Sequence, residues 1–427
     1  MASTDSIKTR ALPRFPPELW LKIFGLATSV PGLMNCNDVS QSDLPHTILK
    51  KKEQDLLKKS LVTKRNLVQV CRTWHDMAVE FLYQSIIISR VNALSSLHNA
   101  LQRSSESSPH RVSLSTSSFG WWTKRLDVII QDDRCEGSDY TLLAEIIRHF
   151  SNLTIVTLSM PMLPYRDCWL RQLPTSLLTA LAETCGSSLR VFDCSESILR
   201  PCREDLMMLL GAAANLQILR CPICSPSPGG KPSLARVDMP VMPKLQSVML
   251  MSVFLRDYLP KDKDANRFPA LRELTYDCIP PPFYDHAWKN FVKISCASVT
   301  TVYLDYCLFG ESLQKELDLL AECCPALDKL VIFLRSWTEL KHHLVLPPVS
   351  YLGLHSKLLD APPVHYLDLF TSLNTIVGSK LKVVRLIHEA AVRNLRNSAS
   401  AQVKEEIANL TSGTFRVEDH EGRLLTV

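Results

Sequence analysis

The sequence predicts an α/β protein with two parts: a short N-terminal helical domain, then an irregular solenoid with a parallel sheet on its concave side and helices on its convex side. Two observations predict this division. Residues 12–83 carry apolar residues at helical spacing, and residues 84–427 repeat a short strand pattern. The chain has 427 residues, of which 46% are apolar and 21% charged, so it is long enough to bury a large core.

The helical domain is predicted from two segments that are separated by an insertion. Residues 15–27 begin with two prolines, which favour a helix start, and continue with apolar residues every three or four positions. Residues 64–83 show the same spacing and predict a second amphipathic helix. The insertion, at about 28–60, alternates lysines with leucines and predicts an inserted helix. Two short helices bury little surface by themselves, so their apolar faces need the rest of the chain or a partner protein to cover them.

The solenoid is predicted from one apolar pattern that returns after residue 83: an apolar residue, two spacers, a second apolar residue, one spacer and a third. The copies are Leu153-Val156-Leu158, Leu189-Phe192-Cys194, Leu216-Leu219-Cys221, Leu245-Val248-Leu250, Leu271-Leu274-Tyr276, Val299-Val302-Leu304, Leu327-Leu330-Ile332, Val349-Leu352-Leu354 and Leu381-Val384-Leu386. From Leu189 to Val349 successive copies start 22 to 29 residues apart. The segments between them have helical periodicity, so each repeat is predicted to be a strand followed by a helix. The apolar runs at 86–88 and 128–130 are expected to begin the same sheet.

The two helical segments resemble an F-box, a docking module of ubiquitin ligases. The resemblance rests on Phe15-Pro16-Pro17-Glu18-Leu19 with Ile23-Phe24 behind it, and on Leu67, Val70-Cys71-Arg72 and Trp74 downstream. A typical F-box begins Leu-Pro, where this chain has Phe15-Pro16. The resemblance implies that the apolar stripe binds a Skp-family adaptor. The contacts it implies are Pro16, Leu19, Ile23, Phe24, Leu67, Val70 and Trp74.

The repeats are similar to leucine-rich repeats in length and pattern. An F-box followed by such repeats resembles, over essentially the whole chain, the substrate-recognition subunits of SCF-type cullin-RING ubiquitin ligases. This resemblance implies that the adaptor tethers the chain to a cullin scaffold while the repeats bind a target protein, whose identity is unknown. Spacer residues of the repeats are expected to point towards the target-binding surface; examples are Arg190, Gln217, Arg272 and Thr301.

The chain is expected not to be an enzyme. It contains no P-loop or dinucleotide glycine motif, no His-Glu-x-x-His motif and no Gly-x-Ser-x-Gly motif. Three alternatives remain open. The chain could be a non-catalytic repeat scaffold unconnected with ubiquitin, an adaptor-bound F-box protein that acts outside ubiquitination, or an enzyme whose residues converge only in the folded chain.

Charge and apolar runs indicate where the protein works. The net charge is +5, and residues 1–103 hold 14 Lys and Arg against 8 Asp and Glu, so the basic excess lies at the docking end. No apolar run approaches the roughly 18 residues of a membrane span, and the first 14 residues do not look like a signal peptide. We therefore expect a cytoplasmic or nuclear protein, or one found in both compartments, with neither a membrane nor a nucleic acid as a partner.

No metal or cofactor is expected. Cys194, Cys202, Cys221 and Cys224 invite a zinc interpretation, but Cys194 and Cys221 occupy apolar positions of the repeat, and Cys224 falls where leucine-rich repeats accept asparagine or cysteine. A second pattern has the ligand spacing of a calcium loop: Asp262, Asp264, Asn266 and Glu273. That loop has arginine where glycine permits the sharp turn, and its last ligand falls inside a predicted strand, so the match is accidental.

Overall fold

Twelve strands and twelve helices make up the part of the chain that the computed structural model describes. The described residues are 15–34, 46–106, 118–130, 137–159, 172–197, 199–221, 239–251, 266–277, 285–306, 313–340, 342–358, 361–411 and 415–427. The helices are α1 (Pro17–Thr28), α2 (His46–Gln69), α3 (Arg72–Tyr83), α4 (Ala93–Glu106), α5 (Gly137–Arg148), α6 (Thr175–Cys185), α7 (Arg203–Ala212), α8 (Asp285–Ser295), α9 (Leu313–Cys323), α10 (Pro363–Asn374), α11 (Glu389–Ser398) and α12 (Ala401–Thr411). The strands are β1 (Ser85–Ile88), β2 (Arg125–Val128), β3 (Ile155–Leu158), β4 (Val191–Asp193), β5 (Ile218–Arg220), β6 (Ser247–Met251), β7 (Glu273–Asp277), β8 (Thr301–Tyr306), β9 (Lys329–Leu334), β10 (Tyr351–Ser356), β11 (Val383–Leu386) and β12 (Arg416–Glu418).

The strands form one parallel sheet in which each strand pairs with the next one along the chain, from β1 to β12. Each of the nine predicted strand copies lies in or directly beside one of the strands β3 to β11, which confirms those predictions. A parallel sheet in sequence order, with connections that are mostly helical, gives a solenoid-like α/β arrangement. Three details differ from the prediction. Between β9 and β10 the described residues form only a short 3-10 helix, Trp337–Glu339, where a longer helix was predicted. Strand β2 begins at Arg125, three residues before the predicted run, and β12 was not predicted.

The two faces of the sheet have different chemistry. Alternate strand residues, such as Val156 and Leu158 on β3, belong to one large apolar core together with the helices. The residues between them point to the opposite side, which we call the open face, and there Ile155, Val191 and Ile218 form a separate small cluster. Side chains on a strand alternate between its two faces, so the apolar core that the sheet shares with the helices between its strands lies on one face.

The helical domain at the N-terminus consists of α1, α2 and α3. On α1, Phe24 is 1% exposed and packs its ring edge-on against Trp74 of α3, with centroids 4.8 Å apart. Helix α2 is tied to α1 by a hydrogen bond that the hydroxyl of Ser60 donates to the carbonyl of Thr28, at 2.6 Å. The three helices therefore pack against one another, and α3 also contacts β1.

The prediction of a single helix over residues 64–83 is wrong. The chain breaks at Val70 and Cys71, and Cys71 has an extended backbone, with φ −163° and ψ 170°. The first part of the predicted helix is the end of α2, which begins inside the predicted insertion and runs unbroken to Gln69. Apolar spacing continues across the break, so the periodicity alone did not reveal it.

Among the described helices, none combines the length and the apolar composition that crossing a bilayer requires.

Candidate protein-docking surface

Exposed apolar side chains are concentrated in the helical domain. Seventeen large apolar side chains are exposed among the described residues, and nine of them lie within residues 15–70. The nine are Phe15, Leu19, Leu21, Ile23, Leu26, Met34, Leu56, Val62 and Val70. Single exposed apolar residues need no explanation, whereas a concentration of this kind is typical of a surface that binds a partner protein.

Helix α1 carries a stripe of these side chains, which we call the α1 stripe: Leu19, Ile23 and Leu26. Their exposed fractions are 47%, 43% and 73%. The spacings of four and three residues place them on one side of the helix. Because Phe24 points into the core of the domain, the α1 stripe lies on a helix whose inner side is already packed.

Four aromatic rings pack together where α1 meets α3. Trp20 lies 4.9 Å from Trp74, measured between ring centroids, and 5.4 Å from Phe15. Both Trp20 and Phe24 contact Trp74, so the tryptophan holds α1 against α3. Aromatic pairs at these separations contribute about 0.5–1.5 kcal/mol each beyond the area they bury, so they help to hold α1 on α3.

The predicted adaptor contacts divide into surface and interior residues. Pro16, Leu19, Ile23 and Val70 are exposed, and Pro16 accepts the first backbone hydrogen bond of α1 through its carbonyl. Leu67 and Trp74 are half-buried. Phe24 is buried and packs inside the domain, so its side chain is not presented to a partner in this conformation.

The inserted helix α2 reaches the sheet through charged side chains, a contact that we call the α2–sheet junction. His46 Nε2 lies 3.1 Å from Asp193 Oδ2, and Lys50 Nζ lies 3.5 Å from Asp193 Oδ1. Further along α2, Glu53 lies 3.5 Å from Arg125 on β2. Asp193 stands at the end of β4, on the open face, so α2 covers part of that face.

The junction is buried, and its partners hold one another in place. Arg125 is 4% exposed and donates to Asp127 through Nε and Nη2, at 2.7 and 3.2 Å, and to the carbonyl of Leu33. Asp193 is 1% exposed and accepts bonds from the backbone and hydroxyl of Ser195. Buried charges are expensive unless they are paired, and here Arg125 and Asp193 each have paired or hydrogen-bonded neighbours.

Burial and neighbouring charges shift the pKa values of three residues at the junction, His46, Asp193 and Glu53. Burial, assisted by the Arg220 cation, lowers the pKa of His46 from 6.5 to about 3. Burial alone would raise the pKa of Asp193, but His46, Lys50 and Arg220 outweigh it and hold that pKa well below its usual range. His46 is therefore neutral at pH 7, and we assign its Nε2 proton to the hydrogen bond with Asp193. Burial also raises the pKa of Glu53, against the opposing charge of Arg125.

The α2–sheet junction was not predicted from the sequence. The alternation of lysines with leucines predicted a helix, but it did not separate Lys50, which is 2% exposed, from its exposed neighbours Lys51 and Lys52. The only local signal was the presence of charged residues within short strands, such as Asp193 and Arg220. The partner of each charge lies far away in the sequence, so this signal did not identify the contact.

The spacer residues expected on the target-binding surface divide into two groups. Thr301 lies in β8 and is half-buried. Arg190, Gln217 and Arg272 each precede the first residue of a strand, and their carbonyls accept backbone bonds from the neighbouring strand. These three therefore stand at the rim of the sheet rather than within its open face.

The cysteine positions agree with a packing role for those that are described. Cys194, Cys202 and Cys221 are buried, while Cys224 lies outside the described residues, as do Asp262 and Asp264 of the calcium-like pattern. Glu273 lies in β7 and accepts a hydrogen bond from Ser247. Within the described ranges, no group of three or more His, Cys, Asp or Glu side chains is arranged to hold a metal ion.

A scan against models of protein families and a search of curated proteins found no match for this chain.

Proposed function

We propose that this chain is the substrate-recognition subunit of an SCF-type cullin-RING ubiquitin ligase. In this proposal the helical domain is an F-box that binds a Skp-family adaptor, and the repeats bind a target protein. The observation that carries the proposal is the α1 stripe, because Leu19, Ile23 and Leu26 form an exposed apolar row on a helix whose other aromatic side chains pack against Trp74 of α3. An amphipathic helix that presents such a row is suited to a groove on another protein.

The α1 stripe can contribute part of the free energy of a specific contact. Fully burying one large aliphatic side chain contributes about 1.5–3 kcal/mol. The three side chains are already partly covered, so each has roughly half of this still to gain. Phe15 and Val70 are two further exposed apolar residues of the helical domain. A partner that covers all five would gain several kcal/mol before the cost of association is subtracted.

The role proposed for this subunit is to bring a target close to the catalytic subunits, and the chemistry takes place on those other subunits. The adaptor would connect the chain to a cullin scaffold, which carries the conjugating machinery. A target held on the repeats would then experience a raised effective concentration of the activated ubiquitin.

The test is co-expression with a Skp-family adaptor, followed by gel filtration and a cullin pull-down. Wild type is compared with Ile23→Asp, which places a charge in the centre of the α1 stripe. The matched control is Val364→Asp on α10, where the valine is 56% exposed and remote in sequence from the helical domain. We expect wild type and the control to bind the adaptor and retain cullin, and Ile23→Asp to fold normally but bind neither.

Two other results would point to the alternatives. Adaptor binding without cullin would indicate an adaptor-bound protein that acts outside ubiquitination. Absence of any adaptor complex with wild type, in a folded sample, would leave a repeat scaffold and remove the F-box proposal.

A further inference from the structure

A cavity lies between α2 and the open face of the sheet, within the α2–sheet junction. Its volume is about 30 Å³, and its charged and ionisable lining residues are His46, Lys50, Glu53, Arg125, Asp193 and Arg220. The floor is formed by apolar open-face residues of β3, β4 and β5. The cavity therefore has a mostly charged lining and an apolar floor.

Two cationic side chains that line this cavity each have a nitrogen donor without a hydrogen-bond acceptor among the described residues. Lys50 is 2% exposed and Arg220 is 6% exposed. Among the described residues, neither Lys50 Nζ nor Arg220 Nη2 has a hydrogen-bond partner. Lys50 has only ion-pair contacts at 3.3 and 3.5 Å, and Arg220 has one at 3.8 Å, made by its other terminal nitrogen. A buried donor without an acceptor costs about 1–3 kcal/mol, and more when it is charged.

The acceptors that could have satisfied these donors are already engaged. Asp193 Oδ1 accepts two bonds from Ser195, and Oδ2 faces His46. Asp127 is held by Arg125 and does not line the cavity, whereas Glu53 does line it and accepts from Nη1 and Nη2 of Arg125, both at 3.5 Å. Glu196 approaches Lys50 at 3.3 Å, but its side chain is 41% exposed and stands towards solvent. The cavity therefore has surplus donors and few remaining acceptors.

We propose that this cavity is a binding site for a small monovalent anion of halide size, held by Lys50 and Arg220. An anion supplies acceptors alone, whereas a water molecule would bring two further O–H donors into a site whose carboxylates are engaged. Lys50 and Arg220 supply the attraction, because their side chains are more than nine-tenths buried and Lys50 Nζ and Arg220 Nη2 have no hydrogen-bond acceptor among the described residues.

The size of the cavity limits the ligand. One water-sized sphere needs about 10–15 Å³ on this measure, so 30 Å³ accommodates one or two such spheres. Chloride or bromide fits this space, and phosphate or sulfate does not. Because Lys50 lies on α2 and Arg220 on β5, the bound anion would fasten the helical domain to the sheet.

The first test uses bromide as a probe of the wild-type protein. Crystals grown in sodium bromide should show an anomalous scattering peak within hydrogen-bonding distance of Lys50 Nζ and Arg220 Nη2. This measurement needs no variant, so it remains valid even if substitutions at the junction unfold the protein. A cavity that contains only water under these conditions would overturn the proposal.

The second test measures thermal stability at constant ionic strength while sodium gluconate is replaced by sodium chloride. Gluconate is too large for the cavity. We expect Tm to rise with the logarithm of the chloride concentration above Kd and to be about 1–2 °C higher at ten times Kd. Lys50→Met should abolish the rise, and Lys51→Met, at the exposed neighbouring position, should keep it.

Each remaining outcome contradicts the proposal. Equal Tm values in chloride and gluconate would mean that the site does not bind chloride in solution. A bromide peak without a Tm shift that depends on chloride concentration would indicate an adventitious ion only. A shift that persists in Lys50→Met would place the binding site elsewhere.

Discussion

Asp193 is the centre of the contact between α2 and the sheet, and replacing it tests whether that contact holds the two parts of the molecule together. The carboxylate faces Lys50, Arg220 and His46 and is 1% exposed. Asp193→Asn keeps the shape and one acceptor for Ser195, but it removes the carboxylate that faces Arg220 and leaves Lys50 with Glu196 alone. Removing one partner of a buried ion pair costs about 3–5 kcal/mol. We therefore expect the junction to weaken by about 3 kcal/mol or more.

The assay has two readouts, because α2 can separate from the sheet before the whole chain unfolds. Urea unfolding measures the global loss, and hydrogen exchange of residues 46–60 measures local opening. The control is Asp55→Asn, on an outward position of α2 that is 59% exposed, where we expect a change below about 0.5 kcal/mol. The double variant Asp193→Asn, Lys50→Met should recover part of the loss, since it also removes one of the cations that Asp193 faces.

A clear result would refute this reasoning. If Asp193→Asn leaves both the urea midpoint and the exchange of residues 46–60 at wild-type values, the charged junction does not hold α2 on the sheet. A double variant that is less stable than the sum of its two single variants would also contradict the role given to Lys50.

Three further predictions follow from buried groups. Lowering the pH from 7 to 5 should destabilise the fold by about 2 kcal/mol through His46, because the pKa of His46 is about 3 in the folded chain whereas the unfolded chain takes up the proton below 6.5. Urea midpoints at pH 7, 6 and 5 measure this loss. His46→Gln should make the dependence of the midpoint on pH less steep. Phe24→Ala should cost about 3–5 kcal/mol in urea unfolding, since the ring is buried, whereas Leu26→Ala at an exposed position should cost under about 0.5. Gly353→Ala should lower the unfolding free energy by about 1–3 kcal/mol, since its new Cβ would meet Ile387 Cδ1 at 2.6 Å.

Each of these has an outcome that would count against it. An unchanged pH slope in His46→Gln would mean that other groups carry the acid sensitivity. Equal losses for the two α1 variants would mean that Phe24 is not the packed side of that helix. A neutral Gly353→Ala variant would show that Ile387 can move aside.

Most strands were predictable because the signal for each is contained in six residues. In β3, Val156 and Leu158 point to the helices and are both 0% exposed, so the alternation of the sequence directly reports the sheet face. Strand β12 was missed because it has one apolar residue, Val417, between Arg416 and Glu418. Glu418 also pairs with Arg385 of β11 at 2.6 Å, which is a tertiary contact that a sequence pattern does not carry.

The helical domain was predicted less accurately, for a physical reason. Apolar periodicity reports which side of a helix is covered, but not where the backbone bends. Cys71 begins α3 with an extended backbone although its neighbours keep helical spacing. The periodicity also does not say which face packs inward, so Phe24, in the predicted contact set, proved to be interior while Leu26, outside that set, is the most exposed of the large apolar residues.

The position of α2 links the two halves of the proposed function. Its first turns carry His46 and Lys50 onto the sheet, and further along Leu57 is buried while Ser60 bonds to the end of α1. One continuous helix therefore connects the α1 stripe to the open face, so a target on the repeats would be held at a set orientation to the adaptor. Asp193→Asn leaves the α1 stripe untouched, so it should preserve adaptor binding while loosening that orientation. In the proposed ligase, such a variant would assemble normally and transfer ubiquitin to its target less efficiently.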